Sequence, residues 1–161
     1  MDPLGDIWER HHAAVGRFAR HLCGSQNQAD DLTQEAFVRL WTTSSPIRTE
    51  TVRAYLFAIV RHEYLRGRRR AWRFVEVPED ILDPGLSPLD RTAGLEEVRR
   101  VLEVMAALDE DDRAALLMKA DGDLSYEDIG EALGVSAGTA RVRVHRARQR
   151  LLQGTRGGDR S

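Results

Sequence analysis

Apolar residues recur at helical spacing through most of this chain, and nowhere do they alternate with polar ones over the length of a strand. Trp8, Val15, Phe18, Ala19 and Leu22 share one face of a first helix, predicted from Ile7 to Leu22. Gly24 and Ser25 end it. Asn27 is placed to cap a second helix through Trp41, with Asp30 in a first turn where the helix dipole favours an acid. Its stripe is Leu32, Ala36, Phe37, Leu40 and Trp41. After the loop "TTSSP", Thr49 is placed to cap a third helix carrying Val52, Tyr55, Leu56, Ile59 and Val60 towards Arg66. Then the texture changes. From Phe74 to about Thr92 the chain is acidic and holds Pro78, Pro84 and Pro88, which reads as a linker. Helices from Leu95 to Ala107 and from Glu110 to Lys119 follow, and then the turn "DGD". No internal repeat is visible. The expected fold is all-α: two small helical domains, residues 1–73 and 95–153, joined by an acidic linker over 74–94, with a disordered tail at 154–161.

The stretch "LSYEDIGEALGVSAGTARVRVHRARQRL" has the anatomy of a helix-turn-helix. Ser125 caps its first helix with Asp128 at the third position, an acidic variant of the capping box. Ile129 and Leu133 face inward, and Gly130 is small where two helices must approach. Gly134 can turn with positive φ, Val135 plugs the corner and Ser136 caps the second helix. There Ala140, Val144, Ala147 and Leu151 form the buried stripe at spacings of four, three and four. The opposite face carries Arg141, Val142, His145, Arg146 and Gln149. A helix so divided can lie in the major groove of duplex DNA. Ser136 and Thr139 lie at its start, and Arg148 and Arg150 farther along are expected on phosphates.

Charge sharpens this picture. The whole chain of 161 residues has net charge -2, yet residues 141–150 hold five arginines and no acid. Residues 1–72 hold 11 basic against 8 acidic groups, residues 73–112 hold 4 against 12, and residues 113–161 hold 9 against 6. Two basic ends therefore flank an acidic middle. All but one of the 24 basic residues are arginine, the exception being Lys119. A second basic cluster, "RHEYLRGRRRAWR", ends the third helix with Arg61, Arg66, Arg68, Arg69, Arg70 and Arg73. His62, Tyr64 and Trp72 are interleaved with them. Aromatics mixed with arginines suit single-stranded nucleic acid, where bases stack and guanidinium groups track phosphates.

In order and spacing the chain resembles the extracytoplasmic-function sigma factors of bacterial RNA polymerase, in the sigma-70 family. "ADDLTQEAFVRLW" looks like their region 2.2, "RAYLFAIVRHEYLRGRRR" like regions 2.3 and 2.4, and the helix-turn-helix like region 4.2. The resemblance implies that Asp31, Gln34, Glu35 and Arg39 dock on the clamp coiled coil of the polymerase's largest subunit, with a further contact at its flap region. It implies that Arg61, His62, Arg66, Arg68, Arg69 and Arg70 melt and read the minus-ten element of promoter DNA. Arg141, Val142, His145 and Arg146 match positions that read the minus-thirty-five element. The acidic linker would thread into the enzyme's RNA path. An anti-sigma factor is a further expected partner. This chain departs from the family in having His62 where asparagine is usual, and Ala140 and Val142 where larger or more polar residues are frequent.

Other classes fit less well. His11, His12, His21 and Cys23 lack the spacing of a metal site, and neither a nucleophile–base pattern nor a phosphate loop occurs. No enzyme activity, cofactor or metal is expected. The single cysteine excludes an internal disulfide, the start "MDPLGDIWER" does not read as a signal peptide, and Ala54 to Val60 is too short to insert in a membrane. The expected location is the cytoplasm, on the nucleoid when bound to polymerase. The competing reading is a stand-alone helix-turn-helix repressor or activator. It leaves Arg61–Arg73 and the acidic face of "DDLTQE" without a purpose.

Overall fold

The structure, a computed structural model, describes residues 3–43, 52–67, 85–120 and 123–156. The described residues form seven helices and no strand: α1 (Pro3–Cys23), α2 (Gln26–Thr42), α3 (Val52–Gly67), α4 (Pro88–Ala107), α5 (Glu110–Ala120), α6 (Tyr126–Leu133) and α7 (Ala137–Arg156). Helices α1, α2 and α3 pack mutually into one bundle, while α5, α6 and α7 form a second with α4 laid along α7. The first core centres on Phe18 and Phe57, stacked with centroids 4.4 Å apart, and on Phe37, which meets Trp8 edge-on at 4.7 Å. In the second, Ile129, Met118, Val144, Ala140 and Ala147 have no exposed surface.

Several boundaries move from those expected. Gly24 turns with φ 76° and its N–H reaches the Arg20 carbonyl, so α1 closes in one residue. Ser25 then caps α2, accepting from the N–H of Gln28 at 3.4 Å. Asn27 therefore lies inside the helix and is not its cap. The predicted cap Thr49 lies outside the described residues.

The N-terminal end of α4 is the larger correction. It begins at Pro88 and not at Leu95, so residues 88–94 of the expected linker are helical. Proline here is a starter and not a breaker, because its missing N–H falls where helices leave donors unpaired. Ser87 completes the cap, accepting from the N–H of Asp90 at 3.2 Å. At the other end α7 continues to Arg156, through the first residues of the expected tail. Gly154 allows this: a Cβ there would sit 2.5 Å from Val104 Cγ2 of α4.

The two bundles also touch. α3 packs on α6 and α1 on α5. Arg113, 2% exposed, reaches from α5 into the first bundle, donating to the Leu22 carbonyl at 3.2 Å and to the Tyr64 hydroxyl at 3.4 Å. α3 is phased by Phe57 stacked on Phe18 and by Tyr64 beneath Arg113. Its buried residues are Val52, Ala54, Leu56, Phe57, Val60 and Tyr64, whereas Tyr55 is exposed. Trp41 of α2 is also largely exposed, leaning on Phe37 and Trp8 at centroid distances of 6.1 and 6.5 Å.

The corner of α6 supplies a test. A Cβ on Gly130 would lie 2.6 Å from the Val135 carbonyl oxygen, which is backbone and cannot swing away. Gly130→Ala should lower stability by about 1–3 kcal/mol in urea denaturation. Gly138→Ala, which meets only Ser136 Oγ at 3.9 Å, should be neutral or stabilising by up to about 1 kcal/mol. Equal losses for the two variants would contradict the packing.

A pH dependence follows from the first bundle. Burial, then the positive charges of Arg53 and Arg10, push the His11 pKa down, and Arg53 Nε donates to its Nδ1 at 3.3 Å. The folded chain thus resists a proton that the unfolded chain accepts near the ordinary value of about 6.5. Stability should be full above that value and decline as pH falls below it towards the depressed folded pKa. Urea midpoints between pH 7.5 and 5.5 should show the decline, and His11→Gln should flatten part of it.

Candidate nucleic-acid and partner interfaces

The helix-turn-helix is built locally. Ser125 Oγ accepts from the N–H of Asp128 at 3.1 Å, and Gly134 turns at φ 72°. The N–H of Val135 reaches the Gly130 carbonyl at 2.9 Å, which closes the corner. Ser136 Oγ accepts from the N–H of Thr139 at 3.1 Å and donates to Thr139 Oγ1 at 3.0 Å. With Ala140, Val144 and Ala147 fully buried, the other side of α7 has to face solvent. Ser136, Thr139, Arg141, Val142, His145, Arg148 and Arg150 are all exposed there, Val142 at 58%. Arg141 lies over the Tyr126 ring at 5.9 Å, which supports its stem near the helix start.

Arg146 is placed differently. Its Nε and Nη2 donate to the two oxygens of Asp112 at 2.7 and 2.8 Å, a forked pair on a carboxylate with no exposure. These hydrogen bonds, more than the charge itself, raise the Arg146 pKa. Arg143 turns towards the same place, 3.3 Å from Asp111 and 3.7 Å from Asp112. The sequence reading did not single out Asp111, Asp112 or Arg143, since nothing local distinguishes them.

On α3, His62 and Arg66 are exposed, and Tyr55 and the half-buried Ile59 continue their line at spacings of three and four. Tyr64, expected among the stacking aromatics, is buried and its hydroxyl is held by Arg113, so it cannot meet a base in this arrangement. Among the described residues of α3, Tyr55 is the exposed aromatic. Arg61 is half-buried and paired with Asp111 of α5. Arg68, Arg69, Arg70 and Trp72 lie outside the described residues.

On α2, Asp31, Gln34 and Glu35 form one exposed face, and it continues through Val38 and Trp41. Two exposed apolar side chains beside an acidic row suit a protein partner, since apolar area supplies what surface charge does not. Arg39 is tied down within this face: Nε lies 3.0 Å from Glu35 and Nη2 lies 2.9 Å from Glu63 of α3. Val38 lies within the region 2.2-like stretch but was not singled out there, and its exposure reveals it.

The histidines near α1 have structural partners. His12 stacks on Trp8 with centroids 4.9 Å apart, and its Nδ1 lies 2.7 Å from the Trp8 carbonyl. Among the described residues no group of three His, Cys, Asp or Glu side chains could hold a metal ion, and no helix is long and apolar enough to cross a membrane.

Comparison with known proteins agrees with this geometry. Residues 7–74 match the family model for sigma-70 region 2, and residues 98–151 match that for sigma-70 region 4. The chain is 36% identical over 155 residues to the ECF RNA polymerase sigma factor SigE of Mycolicibacterium smegmatis, covering 92% of this chain and 60% of that protein. It is 37% identical over 146 residues to SigC of Mycobacterium tuberculosis, covering 86% of this chain and 75% of the relative. In three dimensions it is similar to RpoE from Bartonella quintana, solved in complex with the anti-sigma factor NepR, at TM-score 0.70 and 24% identity over 94% of this chain and 96% of that one. It is similar also to CnrH, solved with the cytosolic domain of CnrY, at TM-score 0.65 and 24% identity over 93% and 85% of the two chains. Two matched regions in the family's order, with a relative above one-third identity over three-quarters of its length, settle the membership: the chain belongs to the extracytoplasmic-function sigma factors of RNA polymerase, within the sigma-70 family.

Proposed function

We propose that this chain binds core RNA polymerase and directs it to promoters, the first bundle engaging the enzyme and the minus-ten element, and the helix-turn-helix engaging the minus-thirty-five element. One observation carries the reading: one chain presents His62 and Arg66 on α3 and Arg141, His145, Arg148 and Arg150 on α7, beside an acidic and apolar face on α2. A duplex reader alone needs only the α7 face. Arg141, Val142 and His145 would meet base edges, while Arg148 and Arg150 would meet phosphates. Asp31, Gln34 and Glu35, with Val38 and Trp41, would seat on the polymerase clamp. An anti-sigma factor, as NepR is for RpoE, would be the regulatory partner, and the working place would be the cytoplasm.

Run-off transcription tests the reading. The purified chain with core enzyme should yield transcripts from a subset of a genomic promoter library. If it neither associates with core nor starts any transcript, and yet holds a duplex operator by itself, the stand-alone regulator is the better account.

Tyr55 separates strand reading from duplex reading. Stacking of one base on an aromatic ring is worth roughly 1–3 kcal/mol. Tyr55→Ala should therefore weaken holoenzyme binding to fork-junction DNA with an unpaired minus-ten strand by that amount. Binding to a duplex minus-thirty-five fragment should not change. Equal losses on both probes would remove Tyr55 from the strand-reading surface.

A further inference from the structure

Val142 stands out on the outward side of α7. It is a purely apolar side chain, 58% exposed, set between Arg141 and Arg143 in sequence. The core fixes its direction. Ala140 and Val144, two residues before it and two after, have no exposed surface. Successive helical side chains diverge by about 100°, so Val142 points about 160° away from both, into the middle of the outward side. Helical side chains also lean towards the N-terminus, so the surface Val142 covers is that of Gly138, four residues back. Gly138 has no side chain to stand there, and a Cβ on it would meet only Ser136 Oγ, at 3.9 Å. Arg141, the neighbour before, carries its guanidinium over the Tyr126 ring of α6 and leaves the line from Gly138 to Val142 open. On that line α7 can approach a flat surface until Val142 touches it.

We propose that Val142 is a specificity-determining residue that selects a thymine in the upstream element, its methyl groups packing on the thymine C5 methyl in the major groove. The inference rests on the functional reading above and names a base for it to read. Valine carries neither donor nor acceptor, so it cannot use the hydrogen-bonding patterns by which side chains tell bases apart. Thymine is the base that offers an apolar group, the C5 methyl, on the groove floor. When the two methyl surfaces meet, both leave water, which is the gain open to an exposed apolar side chain. Discrimination works from the other direction too. Against cytosine the valine would cover an amino donor, and against a purine an N7 acceptor, with no partner to give either. Thymine is favoured and the other bases are penalised by the same side chain.

Removal of single methyl groups from the DNA tests this. Holoenzyme formed with the full chain first selects upstream elements from a randomised duplex library. Each thymine of the selected element, on either strand, is then replaced singly by deoxyuridine, which takes away the C5 methyl and keeps every hydrogen-bonding group. One replacement should weaken binding by the parent about fourfold, the worth of one methyl group returned to water. Val142→Ser should bind the thymine duplex less tightly and lose nothing further on that deoxyuridine duplex. The variant keeps the fold, because Val142 is exposed and serine and valine have similar helix propensities. If the selected element holds no thymine, or no single replacement weakens the parent, the inference is overturned. It is overturned as well if the sensitive replacement costs Val142→Ser as much as the parent, since another residue then meets the methyl. A library from which nothing is enriched would instead overturn the functional reading itself, so the two failures are told apart.

Discussion

Three consecutive charged residues, Asp111, Asp112 and Arg113, hold this structure together. Successive side chains on a helix point about 100° apart, so three in a row reach in three directions. Asp112 reaches α7, Arg113 reaches α1 and α3, and Asp111 reaches α3 and α7 at once. Arg113 is the strictest of these, because a guanidinium withdrawn from water costs several kcal/mol unless donors and acceptors are matched around it. Its acceptors, the Leu22 carbonyl and the Tyr64 hydroxyl, belong to the first bundle. Wherever Arg113 is dry, the two bundles must be together.

That constraint explains which parts of the molecule were legible in the sequence. The corner of the helix-turn-helix was legible, since its caps, its Gly130 contact and its Gly134 turn all act within six residues, but the pairing of Arg146 with Asp112 was not. The all-helical class and the Ala140–Val144–Ala147 stripe rest on the same short-range regularity. α3 was harder to phase. Val52, Tyr55, Leu56 and Ile59 have helical spacing, and so do Val52, Leu56, Val60 and Tyr64. The stacking of Phe57 on Phe18 and the docking of α5 on Tyr64 put Tyr64 inside and Tyr55 out. The second of these comes from a residue 49 positions away. No local pattern contains it.

Proline misled for a different reason. Pro88 ends helices in their interior and starts them at their first position, and the deciding residue is the serine before it. The ion pairs were invisible for the reason that α3 was. Arg61 with Asp111 and Arg146 with Asp112 are separated by 50 and 34 residues. In sequence, the acids of 109–112 looked like part of an acidic middle set apart from the basic ends. In the fold Asp111 and Asp112 pair with Arg61, Arg143 and Arg146 of those ends.

The net charge of -2 thus conceals pairing as well as separation. Of the five arginines in residues 141–150, Arg143 and Arg146 are engaged by α5, Arg146 while still exposed, and Arg141, Arg148 and Arg150 are exposed on α7 as well. Each phosphate neutralised contributes about 0.9 to the slope of log affinity against log salt on duplex DNA. Three of the five, Arg141, Arg148 and Arg150, are exposed and not engaged by α5, where a count of arginines along the sequence would give five such contacts. The acids of α5 engage Arg143 and Arg146 without removing any arginine from the chain. A factor that should find DNA chiefly in the company of polymerase has a physical use for that reserve, because generic attraction to phosphate would otherwise spread it along the whole genome.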